Sequence, residues 1–537
     1  MRSLPTRRTV LGASAAALGS GLLAACSGSP GSAGSAGSGH GSMNHGGSTA
    51  DVPEGYVDPA GPEVQAAEAA RKATGPLTEV KVTATATPLD LGAGITVRSW
   101  AYGDKLAGQE VRATAGGTLA LTLANNLPEA TSLHWHGVAL RNDMDGVPGL
   151  TQRDIAPGAS FPYKFAVPNP GTYWFHPHTG VQQDRGLYGA LIIEDPDEPL
   201  SYDKEWVVVL DDWIDGVDGA TPDAVLAELR QGMNGNGGAH AAHGRSASPS
   251  PSASPGGGKK RSYVAMGGHS DYLGGDAGDV VYPYYLINGR VADDPSVLTA
   301  APGDRIRLRI INAGGDTAFR IALGDHELTV THADGYPVEH TTTGSLLLGM
   351  GERYDVLVTA KDGVFPLTAL AEGKEGSALA VLRTGPGAAP TSSTRPAELD
   401  APPLMADALK AAESVALAPR DPDRTVQLRL TGNMSAYNWA FDGKPYTPDQ
   451  RHPVKAGERV RLEFANATRM WHPIHLHGHN FVLGGQEGGA RKDTAILLPG
   501  RRLTVDFEAD NPGLWMTHCH NVYHSESGMM TVLGYQL

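Results

Sequence analysis

Ten of the 20 histidines in this chain fall in four short groups. They are His134-Trp135-His136-Gly137, His176-Pro177-His178, His472-Pro473-Ile474-His475-Leu476-His477, and His518-Cys519-His520 with His524 just beyond. On an extended strand, residues two apart project to the same face, so each His-x-His sets two imidazoles side by side at a separation that metal can bridge. A lone His-x-His is common without a metal. Four groups in one chain, one of them with a thiol between its imidazoles, select metal ligation. In the last group His518 and His520 point one way and Cys519 the other. One tripeptide can therefore ligate metal on both faces of a strand and join the two sites through a few covalent bonds.

The cysteine narrows the metal. A thiolate, two imidazoles and a long thioether contact make a blue-copper electron-transfer site, whose soft sulfur accommodates Cu(I). Cys519, His524 and Met529 supply three of those groups from one loop, and His472 is available as the fourth. Zinc is the main alternative. It prefers closed tetrahedral sites and has no redox use for a covalent wire, and eight remaining histidines without a carboxylate cluster are too many for one catalytic zinc.

Such ligands need strands to hold them. Short runs with period-two alternation or β-branched enrichment, separated by Gly, Pro, Asn and Asp, recur along the chain, and the reading is all-β. A weak internal repeat marks three copies of one unit. Thr114–Asn126, Ala301–Asn312 and Lys455–Asn466 each read as a Gly turn, an alternating strand, then Asn. Three tandem β-sandwiches follow, and 537 residues with 40% apolar content can fill that many cores.

Charge and composition bound the partners. Lys and Arg total 43 against 58 Asp and Glu, a formal charge of −15, which repels phosphate backbones and excludes a basic footprint for nucleic acid. Arg7-Arg8 precede an apolar run, Val10 to Ala25, closed by Leu23-Ala24-Ala25-Cys26. Residues 1–26 thus resemble a twin-arginine export signal with a lipoprotein box, and the run is too short and Gly/Ser-rich to span about 30 Å of hydrocarbon well. The expected location is extracytoplasmic, with a lipid on Cys26 as the sole membrane attachment. The two cysteines, Cys26 and Cys519, are accordingly read as lipid site and metal thiolate rather than as a disulfide. Residues 27–75 read as a flexible tether and about 231–260, rich in Ser, Pro and Gly, as a disordered insertion. His40, Met43 and His45, then His240 and His243, then Met266 and His269 carry groups that could hand over Cu(I), or are incidental to solvated linkers.

The four histidine motifs, in this order, resemble the multicopper oxidase family, which includes laccases and bacterial cuprous oxidases, over roughly residues 75–537. The resemblance implies three tandem cupredoxin-like Greek-key sandwiches, at 76–200, 201–388 and 419–537, with a linker at 389–418. It also implies four copper ions. His472, Cys519, His524 and axial Met529 match the type 1 site; His134 and His475 match type 2; His136, His176, His178, His477, His518 and His520 match the type 3 pair. The cluster would sit between the first and third domains, with the second as spacer. A small-molecule reductant or Cu(I) would give single electrons at type 1, and dioxygen would take four at the cluster. Asp145, in Asp143-Met144-Asp145-Gly146, resembles the family acid near the cluster, though an Asp before Gly is also an ordinary turn residue. Where many bacterial relatives carry an acid directly after the second type 1 histidine, this chain has Ser525, and Glu526 one position later is the candidate proton donor. His479 has no ligand counterpart in the family and is read as structural.

Phenols or aromatic amines are the favoured donors on this reading, with cuprous ion second, because residues 478–517 contain only Met516 where cuprous oxidases of the family often carry a Met-rich cover. A copper nitrite reductase would not need all eight cluster histidines. A copper-free scaffold protein of this fold would lack ligands, and a copper store would not need a cysteine wired between two of them.

Overall fold

The structure, a computed structural model, describes residues 52–232, 262–265, 267–485 and 488–537. The expected export signal, Cys26, His40, Met43, His45, His240, His243 and Met266 lie outside the described residues, as does nearly all of the expected insertion.

Alternation builds the sheets. In the strand Gly117–Asn126, Leu119, Leu121 and Leu123 are buried while Thr118, Ala120 and Thr122 are partly exposed, so one face packs inward and the other meets water. Strands of this kind assemble into three two-sheet sandwiches. The first has two four-stranded sheets, the second a seven- and a five-stranded sheet, the third a six- and a five-stranded sheet. A two-stranded hairpin, His269–Ser270 with Gly275–Asp276, stands apart from them.

The three repeat strands are equivalent in space. Gly117–Asn126, Arg305–Asn312 and Arg459–Asn466 each run parallel to the opening strand of their sandwich, respectively Leu77–Gly92, Lys204–Trp213 and Arg424–Thr431. On the other side each pairs antiparallel with a later strand, Ser160–Val167, Arg353–Thr359 or Arg502–Glu508. A parallel partner cannot be reached by a hairpin. The chain therefore crosses to the opposite sheet in between, through Val111–Thr114, Ser296–Thr299 and His452–Val454, which gives the Greek-key connectivity.

A buried asparagine at the end of each repeat, Asn125 in the first, explains the place of Asn in the pattern. Asn125 Nδ2 donates to the carbonyls of Glu129 and Ile155, and its Oδ1 accepts from the N–H of Leu127. Asn312 does the same with Thr317, Leu348 and Gly314, and Asn466 with Met470, Leu497 and Thr468. All three side chains are buried, so each supplies partners to backbone groups that water cannot reach.

One connecting region differs from the sequence expectation. Residues 52–75 are no flexible tether. The helix Pro62–Ala70, with Pro in its first turn, buries Val64, while Arg71 donates to the Leu140 carbonyl and Asn511, and Val57 N–H donates to the Tyr535 carbonyl at 2.8 Å. One buried residue in nine leaves no helical stripe to read in the sequence. The helix Pro222–Gln231, N-capped by Thr221 and burying Val225, Leu226 and Leu229, runs into the first residue of the expected insertion. The linker after the second sandwich is pinned as it passes, with Leu399 and Leu409 buried and Lys410 bridged to Gly489. No described helix is long and apolar enough to cross a membrane.

Candidate metal centre

Strand register brings the histidine groups together. His134–His136 lies antiparallel to Gly171–His176, which sets His134 opposite His176. In the third sandwich His472–Leu476 lies between Leu514–Cys519 and Thr494–Leu497, placing His475 beside His518 on one side and Thr494 on the other, with Ile474 opposite Cys519. Parity then sorts the ligands. His472 shares the face of Ile474 and Cys519, whereas His475 shares that of His518.

On the first face, Cys519 Sγ lies 3.5 Å from His472 Nδ1 and 3.7 Å from His524 Nδ1, and those nitrogens are 3.1 Å apart. All three side chains are fully buried. His472 Nε2 is 2.9 Å from Thr468 Oγ1, and His524 Nε2 is 2.9 Å from Asp279 Oδ2. Both rings thus direct an N–H outward and turn Nδ1 toward the sulfur. Three such donors repel one another unless a cation sits among them, and one soft sulfur with two imidazoles is a copper set. Burial disfavours a charge on His524, but the Asp279 carboxylate lifts the imidazole to about 10, so metal binding there displaces a proton. Met529, buried beside this site, accepts from Cys519 N–H through its carbonyl at 3.1 Å.

The second face carries eight imidazoles. Burial pushes those of His136, His176, His178, His475, His477, His518 and His520 below the usual range, which keeps the rings neutral and their lone pairs free. His477 Nδ1 donates to Asp145 Oδ2 at 2.9 Å and His518 Nδ1 to the Cys519 carbonyl at 2.8 Å. Their Nε2 lone pairs then face each other at 3.1 Å, with His178 Nε2 3.4 Å from His518. His134, His176 and His475 likewise donate outward through Nδ1, to the carbonyls of Asp145, Pro177 and Asp493. Their Nε2 atoms are buried with no hydrogen-bond partner. His136 is reversed: its Nε2 meets Asp493 Oδ1 and Thr494 Oγ1, both at 3.0 Å, and its Nδ1 faces His520 Nε2 at 3.2 Å. Each orphaned buried acceptor costs about 1–3 kcal/mol, so this many inward-facing lone pairs fit bound cations.

Models described as multicopper oxidase match residues 83–198, 264–387 and 419–536. Over 480 residues the chain is 46% identical to multicopper oxidase MmcO of Mycobacterium tuberculosis, spanning 88% of this chain and 90% of that one. This chain belongs to the multicopper oxidase family. It is also 29% identical to a copper resistance protein A homolog of Pseudomonas syringae pv. tomato, across 79% of this chain and 87% of that protein. A laccase structure from Botrytis aclada superposes with a TM-score of 0.69 at 26% identity, over 86% of this chain and 88% of that one. Copper is the cofactor of the family, and the donor set fits it.

Within this multicopper oxidase the two candidate acids take different places. Asp145 is fully buried and lies 2.9 Å from His477 and 3.2 Å from His134, two of the inward-facing rings. It is a turn residue as well, ending the short helical turn Asn142–Met144 before Gly146. Glu526 lines a narrow cleft with His176, His178, His518 and His520. His479 stands outside the constellation, between the His477 carbonyl and the Tyr535 hydroxyl. His269 is exposed on its hairpin and pairs with Asp271.

The middle sandwich is more than the expected spacer of the multicopper oxidase. It supplies Asp279 to His524, and Arg353 to Asp493, whose carboxylate holds His136. Burial opposes ionisation of Asp493, and the Arg353 guanidinium overrides it and holds the carboxyl well below its usual range. Asp279, Arg353, Asp493, Thr468 and Thr494 escape sequence reading because each is a single polar residue with no ligand spacing around it.

Proposed function

We propose that this multicopper oxidase draws single electrons from Cu(I) at the Cys519 site and reduces dioxygen to water at the histidine cluster. His472, Cys519, His524 and Met529 would hold the type 1 copper. His134 and His475 would hold type 2, and His136, His176, His178, His477, His518 and His520 the type 3 pair, making four copper ions. Copper supplies the one-electron redox steps and the dioxygen binding. The chain's own residues hold the ligands rigidly in a dry interior, and the His518-Cys519-His520 tripeptide links the two sites covalently. Asp145 would orient His477 beside His134, and Glu526 would deliver protons through its cleft. Export through the leader, with a lipid on Cys26, would place the enzyme on the outer face of the cell membrane.

The observation that carries the choice of donor is the Asp279 carboxylate, 2.9 Å from Nε2 of His524. Asp276 is close enough for its ionisation to feel both Asp279 and His524. Carboxylates beside the electron-accepting imidazole make its surroundings negative and favour a cationic donor over a neutral one. The name of the copper resistance protein A homolog agrees with this reading. Phenolic or aromatic amine donors are the second reading, favoured by the scarcity of methionine across residues 478–517, where Met516 stands alone.

Oxygen uptake by the copper-loaded enzyme, with Cu(I) and with a methoxyphenol each taken to saturation, tests both. The Cu(I) reading expects the larger kcat/KM for Cu(I), and a loss of about tenfold in that value on Asp276→Asn, which leaves the His524 hydrogen bond to Asp279 in place, with a much smaller change for the phenol. Faster turnover of the phenol, unaffected by Asp276→Asn, would establish the second reading. No uptake with either donor at full copper loading would end the oxidase assignment.

A further inference from the structure

The turn Gly349–Glu352 and the residue after it, all from the middle sandwich, press directly on the histidine cluster. A Cβ placed on Gly351, whose φ is +87°, would come within 2.9 Å of His136 Cε1 and 3.1 Å of His520 Cδ2. Next to it Arg353, fully buried, extends its guanidinium to Asp493 of the third sandwich in a two-pronged bond, Nη1 to Oδ1 and Nη2 to Oδ2, both 2.7 Å. Its Nε donates to the Thr172 carbonyl of the first sandwich at 3.1 Å, on the strand that ends in His176. Its own backbone N–H is fixed by Asp334 Oδ1 at 2.9 Å, and Asp334 Oδ2 also accepts from the N–H groups of Asp493 and Thr494. One side chain of the middle sandwich therefore touches both neighbours.

Asp493 is the pivot of this arrangement. Its Oδ1 takes the Nε2–H of His136 at 3.0 Å and lies 3.4 Å from His475 Nδ1, while its backbone carbonyl takes the Nδ1–H of His475 at 2.9 Å. The carboxylate decides which nitrogen His136 turns inward, Nδ1, and the backbone carbonyl of the same residue decides it for His475, Nε2. Gly137 leaves the room required, since a Cβ there would lie 2.4 Å from Arg353 Nη2 and 2.6 Å from Asp493 Oδ2.

We propose that Arg353 is a positioning residue for oxygen reduction: by fixing Asp493 it fixes the ring orientation of His136 through the carboxylate and of His475 through the backbone carbonyl, so the middle domain sets the geometry of a cluster it does not ligate. This rests on the ligand assignment made above. A lysine would keep the charge and lose the planar fork, because an ammonium cannot hold both carboxylate oxygens and the Thr172 carbonyl at once.

The test uses the full-length, copper-loaded enzyme with Arg353→Lys, Arg353→Gln and Asp493→Asn, the last nearly isosteric and retained in case the arginine variants do not fold. Copper per chain, the blue absorption of the thiolate site, the EPR spectrum of the non-blue copper, and kcat and KM for dioxygen are compared. The expected result is an unchanged blue band, an altered non-blue EPR spectrum, and a fall of about 10- to 100-fold in kcat or in cluster copper affinity for both Arg353→Lys and Asp493→Asn. Folded variants with wild-type EPR spectra and wild-type dioxygen kinetics would overturn the proposal. A wild-type enzyme that loads copper at Cys519 alone would instead overturn the ligand assignment, and that result is visible before any variant is made.

Discussion

Glu526 shows how much a single side chain can be asked to do near the cluster. It borders the cleft that reaches His176, His178, His518 and His520. Burial raises its carboxyl above the usual value, with Arg230 working against this and Asp223 with it. A raised pKa keeps more of the acid protonated near neutral pH, and its ability to donate is lost as pH rises through that value. Glu526→Gln is expected to lower kcat roughly 100-fold at saturating donor and to abolish the decline with rising pH, while the blue absorption stays unchanged. A pH profile identical to wild type would place the proton donor elsewhere. The acid was visible in the sequence because it stands two residues after His524. Asp279, Arg353 and Asp493 were not, since His524 and Asp279 are 245 positions apart, Arg353 and Asp493 140, and His136 and Asp493 357. Ligand histidines announce themselves by local spacing, whereas the groups that orient them are recruited across domains.

Among the elements, the three repeat asparagines allow a comparison within one molecule. Each donates two buried hydrogen bonds and accepts one, so replacing Asn125, Asn312 or Asn466 with Ala is expected to cost about 2–3 kcal/mol by urea unfolding. Asn466 has one further duty. Its Oδ1 accepts from Thr468 Oγ1 at 2.7 Å, and that hydroxyl receives the Nε2–H of His472 at 2.9 Å. Asn466→Ala alone should therefore also shift the blue absorption and the potential of the thiolate site. Equal spectral shifts in all three variants would show that the chain from Asn466 to His472 carries no special influence. The repeat, the alternation and the Gly turns were legible because a half-buried strand writes its burial into every second residue. The helix Pro62–Ala70 wrote almost nothing, with Val64 its sole buried residue. It is held instead by polar contacts of Glu68 and Arg71 with the first and third sandwiches.

For the molecule as a whole, the decisive feature is a middle sandwich bonded to its neighbours through buried charge. Asp355 accepts from Arg307 Nη2 at 2.6 Å and Arg309 Nη1 at 3.1 Å within that sandwich, and from Thr172 Oγ1 of the first sandwich at 2.6 Å. Burial opposes its ionisation, yet the two guanidiniums hold the carboxyl well below the usual range. A carboxyl depressed in the folded state stabilises the fold fully above its unfolded pKa of about 4, and that contribution fades as pH falls below it. Asp355→Asn leaves both arginines buried with one partner fewer and should cost about 3 kcal/mol at pH 7. The same deficit should shrink as the unfolding series is carried below pH 4, because wild type then begins to lose what the variant never had. A deficit that stays constant down to pH 3 would show that packing, not charge, is what Asp355 contributes. Since Thr172 lies on the strand that ends in His176, loosening this contact should release copper from the cluster before the blue site of the third sandwich is affected. The order of copper loss on acidification, read by EPR against the blue band, then reports whether the middle domain governs the cluster mechanically as well as through Arg353.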